Sequence, residues 1–418
     1  MKYVKNYQCT LCEKTYTDFS LMTCPVCGEK GILEINYDYE LMKEEVNLDY
    51  FNNNKDMSML RYLPLMSIES SDYSTLKVGW TPLYKSSNIS KKYSVENLYI
   101  KDEGVNPTAS LKDRASLVAC IKAIESNNDF ISCSSTGNAA SSLAGNAAKM
   151  NLKTVIFIPE RAPEGKLSQL INYGANLVKV KGDYKDTFES SKVAIDQYGF
   201  YNRNAAINPH LVEGKKTVAL EIAEQLHFTN IDNVIVSVGD GCTVYGVYKA
   251  FYDLFSIGMI KKIPKIIGVQ SKGCSPFYDA WKNKEAIKEA DENTIADSIA
   301  VGIPRNPVKG LKAIENSNGY FITVTDEEIL NAMKELASNE GVFAEPAASA
   351  SYAGFVKSIE ENLIDTSETT VVIVTGNGLK DQVNALKNSK HTYHITKNDF
   401  KTKIKEQLPL EAFLDLIN

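Results

Sequence analysis

The chain has 418 residues, of which 44% are hydrophobic and 23% are charged. It is longer than a usual single domain, and its composition excludes the disordered, collagen-like and coiled-coil classes. There are 46 lysine and arginine residues against 52 aspartate and glutamate residues, so the formal net charge of -6 gives no general attraction to nucleic acid or to anionic lipid. We therefore expect a small-molecule partner, and neither nucleic acid nor a membrane.

The hydrophobic pattern along the chain bears on its location in the cell. No apolar run approaches the roughly 18 residues of a membrane-spanning helix. The first residues, MKYVKNYQCT, lack the apolar segment of a signal peptide. Both observations favour a cytoplasmic protein.

Four of the eight cysteines form one spacing pattern near the N-terminus. Two residues separate Cys9 from Cys12 and Cys24 from Cys27, and eleven residues lie between the two pairs. Each pair presents two thiolates from one tight turn, so together they predict a closed, tetrahedral zinc site of the structural kind. The flanking residues are acidic, which favours an N-terminal cap over a ribbon that binds nucleic acid. Ordinary core positions are expected for the other cysteines, Cys120, Cys133, Cys242 and Cys274.

From about residue 80, short β-branched runs alternate with amphipathic helical stretches. Continuous apolar strands separated by helices predict parallel sheets covered on both faces, which is an α/β fold. The tail from about residue 385 is expected to be peripheral. The predicted strands are FISC at 130–133, TVIFIP at 154–159, LVKVKG at 177–182, NVIVSVG at 233–239, IIGVQ at 266–270, YFITVT at 320–325 and TVVIVTG at 370–376.

The run NPTASLKDR at 106–114 places a lysine at a predicted helix start. Ser110 and Asp113 form an S-x-x-D capping box, so we expect the helix to begin just before Lys112. The positive end of the helix dipole disfavours an ammonium group there by roughly 0.3–1 kcal/mol. This lowers the pKa of the lysine and favours the neutral amine that a Schiff base requires. The alternative is an ordinary solvated lysine near a helix start.

Three turns that follow predicted strands carry polar or glycine-rich sequences. SSTGNAASS at 134–142 combines hydroxyls with backbone N–H groups, and Asn138 opens the next helix; it is either a cradle for a carboxylate or phosphate, or a simple N-cap. In VGDGCTVYG at 238–246, Gly239 and Gly241 let the backbone approach an anion closely. In VTGNGLKD at 374–381, Thr375 leaves a buried strand. Since ligands of open α/β sheets bind at the carboxyl ends of strands, the site is expected where these turns meet.

Taken together, these runs resemble the fold-type II pyridoxal-phosphate enzymes, and most closely the threonine synthases, over about residues 78–385. GWTPLY at 79–84, INPHLVEGKKT at 207–217 and FAEPAASAS at 343–351 belong to the same resemblance. Many threonine synthases also carry an N-terminal four-cysteine ribbon. The resemblance implies two parallel-sheet domains with helices on both faces, plus a small N-terminal zinc ribbon. The expected domains are a ribbon at 1–36, a large pyridoxal-phosphate domain at 37–117 and 226–418, and a smaller inserted α/β domain at 118–225.

The resemblance also implies a role for each residue in the candidate site. Lys112 binds the aldehyde of pyridoxal 5'-phosphate and then moves the α proton, and Asn138 bonds the phenolic oxygen of the cofactor ring. Thr375 bonds the pyridine nitrogen; a hydroxyl does not keep this nitrogen protonated, which suits elimination and replacement chemistry. The substrate carboxylate is held by Ser135, Thr136 and Gly137. The cofactor phosphate is held by Gly239, Asp240, Gly241, Cys242 and Thr243.

Two departures from the threonine synthase pattern affect the site. Cys242 and Thr243 stand where the family commonly has glycine and asparagine, and Thr243 still offers a hydroxyl. Leu211 stands where threonine synthases commonly have an arginine that grips the phosphate of O-phosphohomoserine, and an isobutyl group cannot replace a guanidinium. Lys215 lies four residues on, which is the same face of a helix, and is the expected substitute. The other candidates to supply the charge are Lys216 and His210.

The sequence therefore predicts a pyridoxal-phosphate-dependent threonine synthase that converts O-phosphohomoserine and water to threonine and phosphate. The alternative is elimination or replacement on an unphosphorylated amino acid, by a threonine/serine ammonia-lyase or the pyridoxal-phosphate subunit of an amino-ketoacid thiolase, and Leu211 favours it. A zinc-ribbon binding protein with an inactive α/β body is a third possibility, which loss of Lys112, Asn138 or Thr375 would mark; all three are present. A homodimer is expected because it is usual in the family.

Overall fold

The computed structural model describes residues 1–162, 164–182 and 184–387. Residues 388–418 of the predicted large domain, and with them nearly all of the predicted peripheral tail, lie outside the described residues. Within the described part of the chain, no helix has the length and apolar character needed to cross a membrane.

Strands and helices alternate through most of the described chain. The strands are β1 (Val4–Cys9), β2 (Thr15–Tyr16), β3 (Thr23–Cys24), β4 (Gly28–Tyr37), β5 (Leu83–Lys85), β6 (Asn97–Asp102), β7 (Phe130–Ser134), β8 (Lys153–Pro159), β9 (Asn176–Val180), β10 (Tyr201–Asn202), β11 (Asn233–Ser237), β12 (Lys265–Ser271), β13 (Tyr320–Val324) and β14 (Thr369–Val374). The α-helices are α1 (Tyr39–Glu45), α2 (Leu48–Asn53), α3 (Asn88–Tyr93), α4 (Lys112–Glu125), α5 (Asn138–Lys149), α6 (Glu164–Asn172), α7 (Tyr184–Tyr198), α8 (His210–Gln225), α9 (Cys242–Ser256), α10 (Pro276–Asn283), α11 (Pro307–Asn316), α12 (Asp326–Glu340), α13 (Pro346–Glu360) and α14 (Gln382–Leu386). Short 3-10 helices span Met59–Leu65, Glu103–Val105, Asp297–Ile299 and Gly378–Lys380.

The largest sheet has the strand order β13-β12-β11-β14-β6-β5. Its neighbours pair in parallel except at one edge, where β5 runs antiparallel to β6. Successive residues of β11 enter different hydrophobic clusters: Val234 and Val236 pack in one, and Ile235 packs in the other. Because side chains alternate between the faces of a strand, both faces of this sheet are covered by helices. This confirms the α/β fold predicted from the apolar runs.

A second, wholly parallel sheet has the order β10-β7-β8-β9. Its strands β7, β8 and β9 correspond to the predicted runs beginning at residues 130, 154 and 177. The runs did not reveal β10, since a strand of two residues carries no periodicity. The bounds of the three predicted domains stay a prediction.

The N-terminal ribbon is a four-stranded sheet in the order β2-β1-β4-β3. Its apolar side chains Tyr7 and Leu33 are fully buried in the same hydrophobic cluster as Val218 of α8. Polar contacts reinforce the packing: Tyr7 Oη lies 3.2 Å from Nε2 of His210 at the start of α8. The acidic Glu34 forms a 2.7 Å ion pair with Lys309 of α11. The ribbon is therefore packed directly against helices of the α/β body.

A cluster of buried charges joins β6, α4 and α8. Arg114 donates at 2.6 Å both to Glu103 and to Glu221, and Lys101 donates at 2.8 Å to Glu221. All four side chains are fully buried. Burial opposes ionisation of Glu221, but Arg114 and Lys101 overcome it and hold the pKa of its carboxyl at about 2. We refer to Lys101, Glu103, Arg114 and Glu221 as the central ion cluster.

Breaking the central ion cluster should destabilise the fold strongly. Arg114→Met leaves Glu103 without its guanidinium partner in a water-free site, so we expect the free energy of unfolding to fall by about 3–5 kcal/mol. Urea unfolding followed by circular dichroism measures the change. Lys92→Met is the control: it breaks an exposed ion pair with Glu335 and should cost at most about 1 kcal/mol. Equal midpoints for the two variants would contradict the importance of the cluster.

Candidate active site

Lys112 is the first residue of α4, as the sequence predicts, but the predicted capping box does not form. The carboxylate of Asp113 accepts hydrogen bonds from the backbone and hydroxyl of Thr108 at 2.8 and 2.9 Å, and from Asn146 at 2.8 Å. The buried hydroxyl of Ser110 has no partner among the described residues. The predicted capping box was wrong because Asp113 is bound by Thr108, five residues earlier, and by Asn146 of α5, and not by Ser110.

The start of α4 is attached to the end of β14. The backbone N–H of Leu111 donates to the carbonyl of Thr375 at 2.9 Å. An antiparallel bridge links Ser110 to Gly376. Since β14 pairs with β11 in the large sheet, Lys112 is brought to the carboxyl ends of these two strands. Two of the three turns singled out in the sequence, those at 238–246 and 374–381, meet at this edge.

The amine of Lys112 is electrostatically poised for nucleophilic attack. Its pKa is lowered to about 8, mainly by burial and then by the nearby cations Lys215 and Arg203, against a smaller raising effect of Asp240. The direction agrees with the prediction from the helix start, and burial adds a cause that the sequence did not reveal. At pH 7 an amine with this pKa is roughly one-tenth neutral, against under one-thousandth for an ordinary lysine, and Schiff-base chemistry uses the neutral form.

The turn after β11 has the geometry of a phosphate cradle. Gly241 has φ +84°, and a Cβ there would lie 2.7 Å from the carbonyl oxygen of Asn306, so only glycine fits. Gly241 also caps α9, whose first N–H groups lack intrahelical acceptors. The carbonyl of Asp240 accepts from the backbone of Asn306 at 3.0 Å, which fixes the turn. Cys242 is buried and Thr243 is half-buried beside it.

The turn after β7 presents a second set of polar groups. Ser135, Thr136 and Gly137 are half-buried, and Gly137 precedes Asn138, the first residue of α5. The hydroxyl of Ser135 accepts from the backbone N–H of Gly137 at 3.2 Å. No side chain caps α5, so the amides at its start remain directed at any anion bound there.

Glu345 is a site residue that the sequence analysis did not single out. Its buried carboxylate accepts from Asn138 Nδ2 at 2.8 Å, and its backbone N–H donates to Gly376 at 3.0 Å. Burial raises the pKa of this carboxyl. Glu345 therefore connects the turn after β7, in the second sheet, to the end of β14, next to Thr375. The available signal was a glutamate directly before Pro346 in an apolar, alanine-rich helix start.

Three residues were proposed to supply the charge of an arginine at position 211. Among the described residues, two of them already have hydrogen-bond or ion-pair partners, and the third, Lys215, has none. Lys216 is ion-paired with Glu213 and Asp253. His210 bonds Tyr7 of the ribbon and Ser67, and burial holds the pKa of its imidazole well below the usual value. Lys215 is buried and has no hydrogen bond or ion pair to any residue in the described ranges. Leu211 itself is buried in the apolar core of the small sheet.

The four cysteines of the ribbon converge as their spacing predicts. Their sulfur atoms all lie within 4.8 Å of one another, and Cys12 Sγ is 3.7 Å from Cys24 Sγ. Tetrahedral zinc with Zn–S bonds of about 2.3 Å places its sulfurs about 3.7–3.8 Å apart. Backbone N–H groups of Leu11 and Cys27 donate to Cys9 and Cys24 at 3.4 Å, which supports thiolate character. The donor set fits a structural zinc ion.

Comparison with known proteins identifies the family of the chain. The family model for pyridoxal-phosphate dependent enzymes matches residues 74–376. A threonine synthase of Methanocaldococcus jannaschii is 39% identical over 393 residues, covering 93% of this chain and 96% of that protein. A threonine synthase of Methanosarcina acetivorans is 36% identical over 378 residues, covering 90% and 92%.

A solved structure shares the fold of the α/β body. The serine racemase of Dictyostelium discoideum aligns with a TM-score of 0.61 at 26% identity, covering 71% of this chain and 92% of that one. The family model spans most of the chain, and the curated relatives are matched over nearly their whole length. The chain therefore belongs to the pyridoxal-phosphate dependent enzymes and, within them, to the threonine synthase family.

Proposed function

We propose that this chain is a threonine synthase, a pyridoxal-phosphate-dependent lyase that converts O-phosphohomoserine and water to threonine and inorganic phosphate. The observation that carries the proposal is the activated lysine, Lys112, at the strand ends of a chain that is 39% identical to a threonine synthase over 393 residues. The small-molecule substrate agrees with the expectation from composition.

The residues of the site suit pyridoxal 5'-phosphate. When bound, this cofactor withdraws electrons from the α carbon of an amino acid and makes its proton acidic. Lys112 would hold the cofactor aldehyde through Nζ, and the same nitrogen, once released, would accept and return the α proton. Its lowered pKa, about 8, keeps enough neutral amine for both tasks.

The remaining site residues would position cofactor and substrate. We assign the cofactor phosphate to the turn Gly239, Asp240, Gly241, Cys242 and Thr243 at the start of α9. Thr375 would meet the pyridine nitrogen with a hydroxyl, and Asn138 the phenolic oxygen. Asn138 donates to Glu345 in this structure, so contact with the ring requires that this hydrogen bond be shared or exchanged. Ser135, Thr136 and Gly137 would hold the substrate carboxylate at the start of α5.

Four features of the protein as a whole complete the proposal: a metal ion, a location, an oligomeric state and a domain division. We assign a structural zinc ion to Cys9, Cys12, Cys24 and Cys27, within an N-terminal ribbon. None of the eight cysteines, all of which lie in the described ranges, is in a disulfide bond, which supports a reducing, cytoplasmic location. We further propose a homodimer, on the basis of the family resemblance. The domain division at residues 36, 117 and 225 is retained as a proposal.

The alternative function is elimination or replacement on an amino acid without phosphate. Leu211 favours it, because its side chain is buried among apolar neighbours and offers no charge to a phosphate. Under this alternative, the chain would act as a threonine/serine ammonia-lyase or as the pyridoxal-phosphate subunit of an amino-ketoacid thiolase.

Lys112→Ala should remove the near-visible absorbance of the purified protein, because that absorbance arises from the covalent bond between Lys112 and the cofactor. In the wild-type apoprotein, the rate at which added cofactor restores the band should rise with pH through about 8, where the amine becomes neutral. Stopped-flow absorbance measures both. Lys92→Met is the control and should retain the band. An unchanged spectrum for Lys112→Ala would place the cofactor on another residue.

Metal analysis of the wild-type protein should find one zinc ion per chain. Cys9→Ser should lower both the zinc content and the midpoint of urea unfolding, because binding of a structural metal contributes folding free energy. Cys274→Ser, a buried cysteine outside the cluster, is the matched control and should retain full zinc content. Protein without metal and with undiminished stability would show that the four thiols are plain core residues.

A substrate screen that measures phosphate and 2-oxoacid in parallel separates the two functions. We expect phosphate release and threonine formation from O-phosphohomoserine, and no rapid 2-oxoacid formation from serine or threonine; Lys112→Ala should abolish turnover. Deamination of serine or threonine without phosphate release would establish the ammonia-lyase alternative. Absence of both products from the holoenzyme would favour a replacement reaction with a second substrate or a partner subunit.

A further inference from the structure

Two buried cations at the candidate active site lack a carboxylate partner. Arg203 and Lys215 are each only 2% exposed, and neither forms an ion pair within the part of the chain that the structure describes. Other buried cations are paired: Arg114 with Glu103 and Glu221, for example. Because an unpaired buried charge is costly, these two indicate an anion that comes from outside the protein.

Arg203 is held beside Lys112 by a chain of hydrogen bonds. It follows β10, and its backbone N–H donates to Ser132 of β7 at 2.9 Å. Its Nε donates at 3.1 Å to the hydroxyl of Ser116. Ser116 lies one helical turn after Lys112 on α4, so both residues share one face of that helix. The Nη2 group of Arg203 is buried and has no hydrogen-bond partner among the described residues.

Lys215 approaches the same region from α8. A Cβ added to Gly246 of α9 would lie 3.3 Å from the Cβ of Lys215, so the two helices touch there. Gly246 is one helical turn after Cys242 of the phosphate turn. Lys215 therefore lies within about one turn of the cofactor-phosphate cradle, and Arg203 within one turn of Lys112. Both cations lower the pKa of Lys112, and Arg203 lowers that of Lys215, which agrees with a shared site.

Because Leu211 carries no charge, another residue must bind a substrate phosphate, and Arg203 and Lys215 are candidates for this role. Leu211 packs in the cluster that contains Cys120 and Cys133, and the same two thiols influence the pKa of Arg203. Arg203, just after β10, and Leu211, near the start of α8, are thus both placed around the apolar cluster of the second sheet. We infer that Arg203, assisted by Lys215, binds the phosphate group of the substrate, in place of an arginine at position 211.

The inferred subsite rests on the proposed function, and its chemistry suits the reaction. A guanidinium and an ammonium together balance a phosphate dianion, and Nη2 of Arg203 provides a fixed donor. When the bond between the γ carbon and the phosphate oxygen breaks, the phosphate leaves with the electron pair. The two cations stabilise that charge where water is excluded.

The test compares holoenzyme variants in which one cation is removed. Arg203→Leu and Lys215→Gln should raise KM for O-phosphohomoserine on the order of 10- to 100-fold, since each loses a charge-assisted contact, and Arg203→Lys should lie between. The cofactor band should stay intact in all three. Lys122→Gln is the matched control, since it removes a buried cation that already has a partner, Glu125, and KM should not change.

Binding of inorganic phosphate to holoenzyme, measured by equilibrium dialysis, separates the subsite from the reaction. Wild type should bind one phosphate per chain and Arg203→Leu should not. If wild type binds phosphate through Arg203 but leaves O-phosphohomoserine unreacted, the proposed function fails while the subsite stands. If O-phosphohomoserine is turned over with an unchanged KM in Arg203→Leu and Lys215→Gln, the inference is overturned while the function stands.

Two further results guard against misfolded variants and against a different anion. Loss of the cofactor band in Lys215→Gln and Arg203→Leu, with weaker cofactor binding, would assign the cations to the cofactor phosphate and overturn the inference. The double variant Arg203→Leu/Leu211→Arg removes the guanidinium at position 203 and introduces one at position 211. Recovery of at least part of the lost affinity for phosphate there would support a direct charge role, whereas a merely structural role for Arg203 predicts no recovery.

Discussion

The central ion cluster is the interaction on which the active site depends. Arg114 joins Glu103, at the end of β6, to Glu221 of α8, with all three side chains excluded from water. Arg114 lies two residues after Lys112, and Glu221 lies six residues after Lys215. Because breaking a buried, paired charge is strongly destabilising, the cluster holds α4 against α8 and fixes the separation of the two lysines.

This rigid packing allows the protein to hold three positively charged groups, Lys112, Lys215 and Arg203, close together. Their closeness links the binding of an anion to catalysis. Lys215 and Arg203 lower the pKa of Lys112, so the cations that attract an anion also increase the neutral fraction of the nearby amine. An anion that neutralises them removes part of this effect and raises the pKa of Lys112. Substrate binding would therefore make the lysine a stronger base at the stage where it must accept the α proton.

The sequence predicted the features that local patterns determine. Buried parallel strands appear as apolar runs, and the paired cysteines predicted that four thiols converge. The helix start at Lys112 followed from the same kind of pattern, although the cap was wrong because Asp113 binds Thr108 and Asn146 instead of Ser110. Glu345 and Arg203 had no comparable signal: each acts through residues far away in the chain, and Arg203 follows a strand of only two residues.

The residue at position 211 does not alone determine the charge of the site. Leu211 is buried among apolar side chains, so its presence excludes a charge at that position but not at the site. Arg203, just after β10, is hydrogen-bonded to Ser116 of α4, and Lys215 lies on the same face of α8 as Leu211, one turn later. A phosphate responds to the positions of charges in space, whichever residue carries them. Leu211 taken alone favours a substrate without phosphate, but Arg203 and Lys215 offset that argument, because they supply positive charge from neighbouring elements of the same fold.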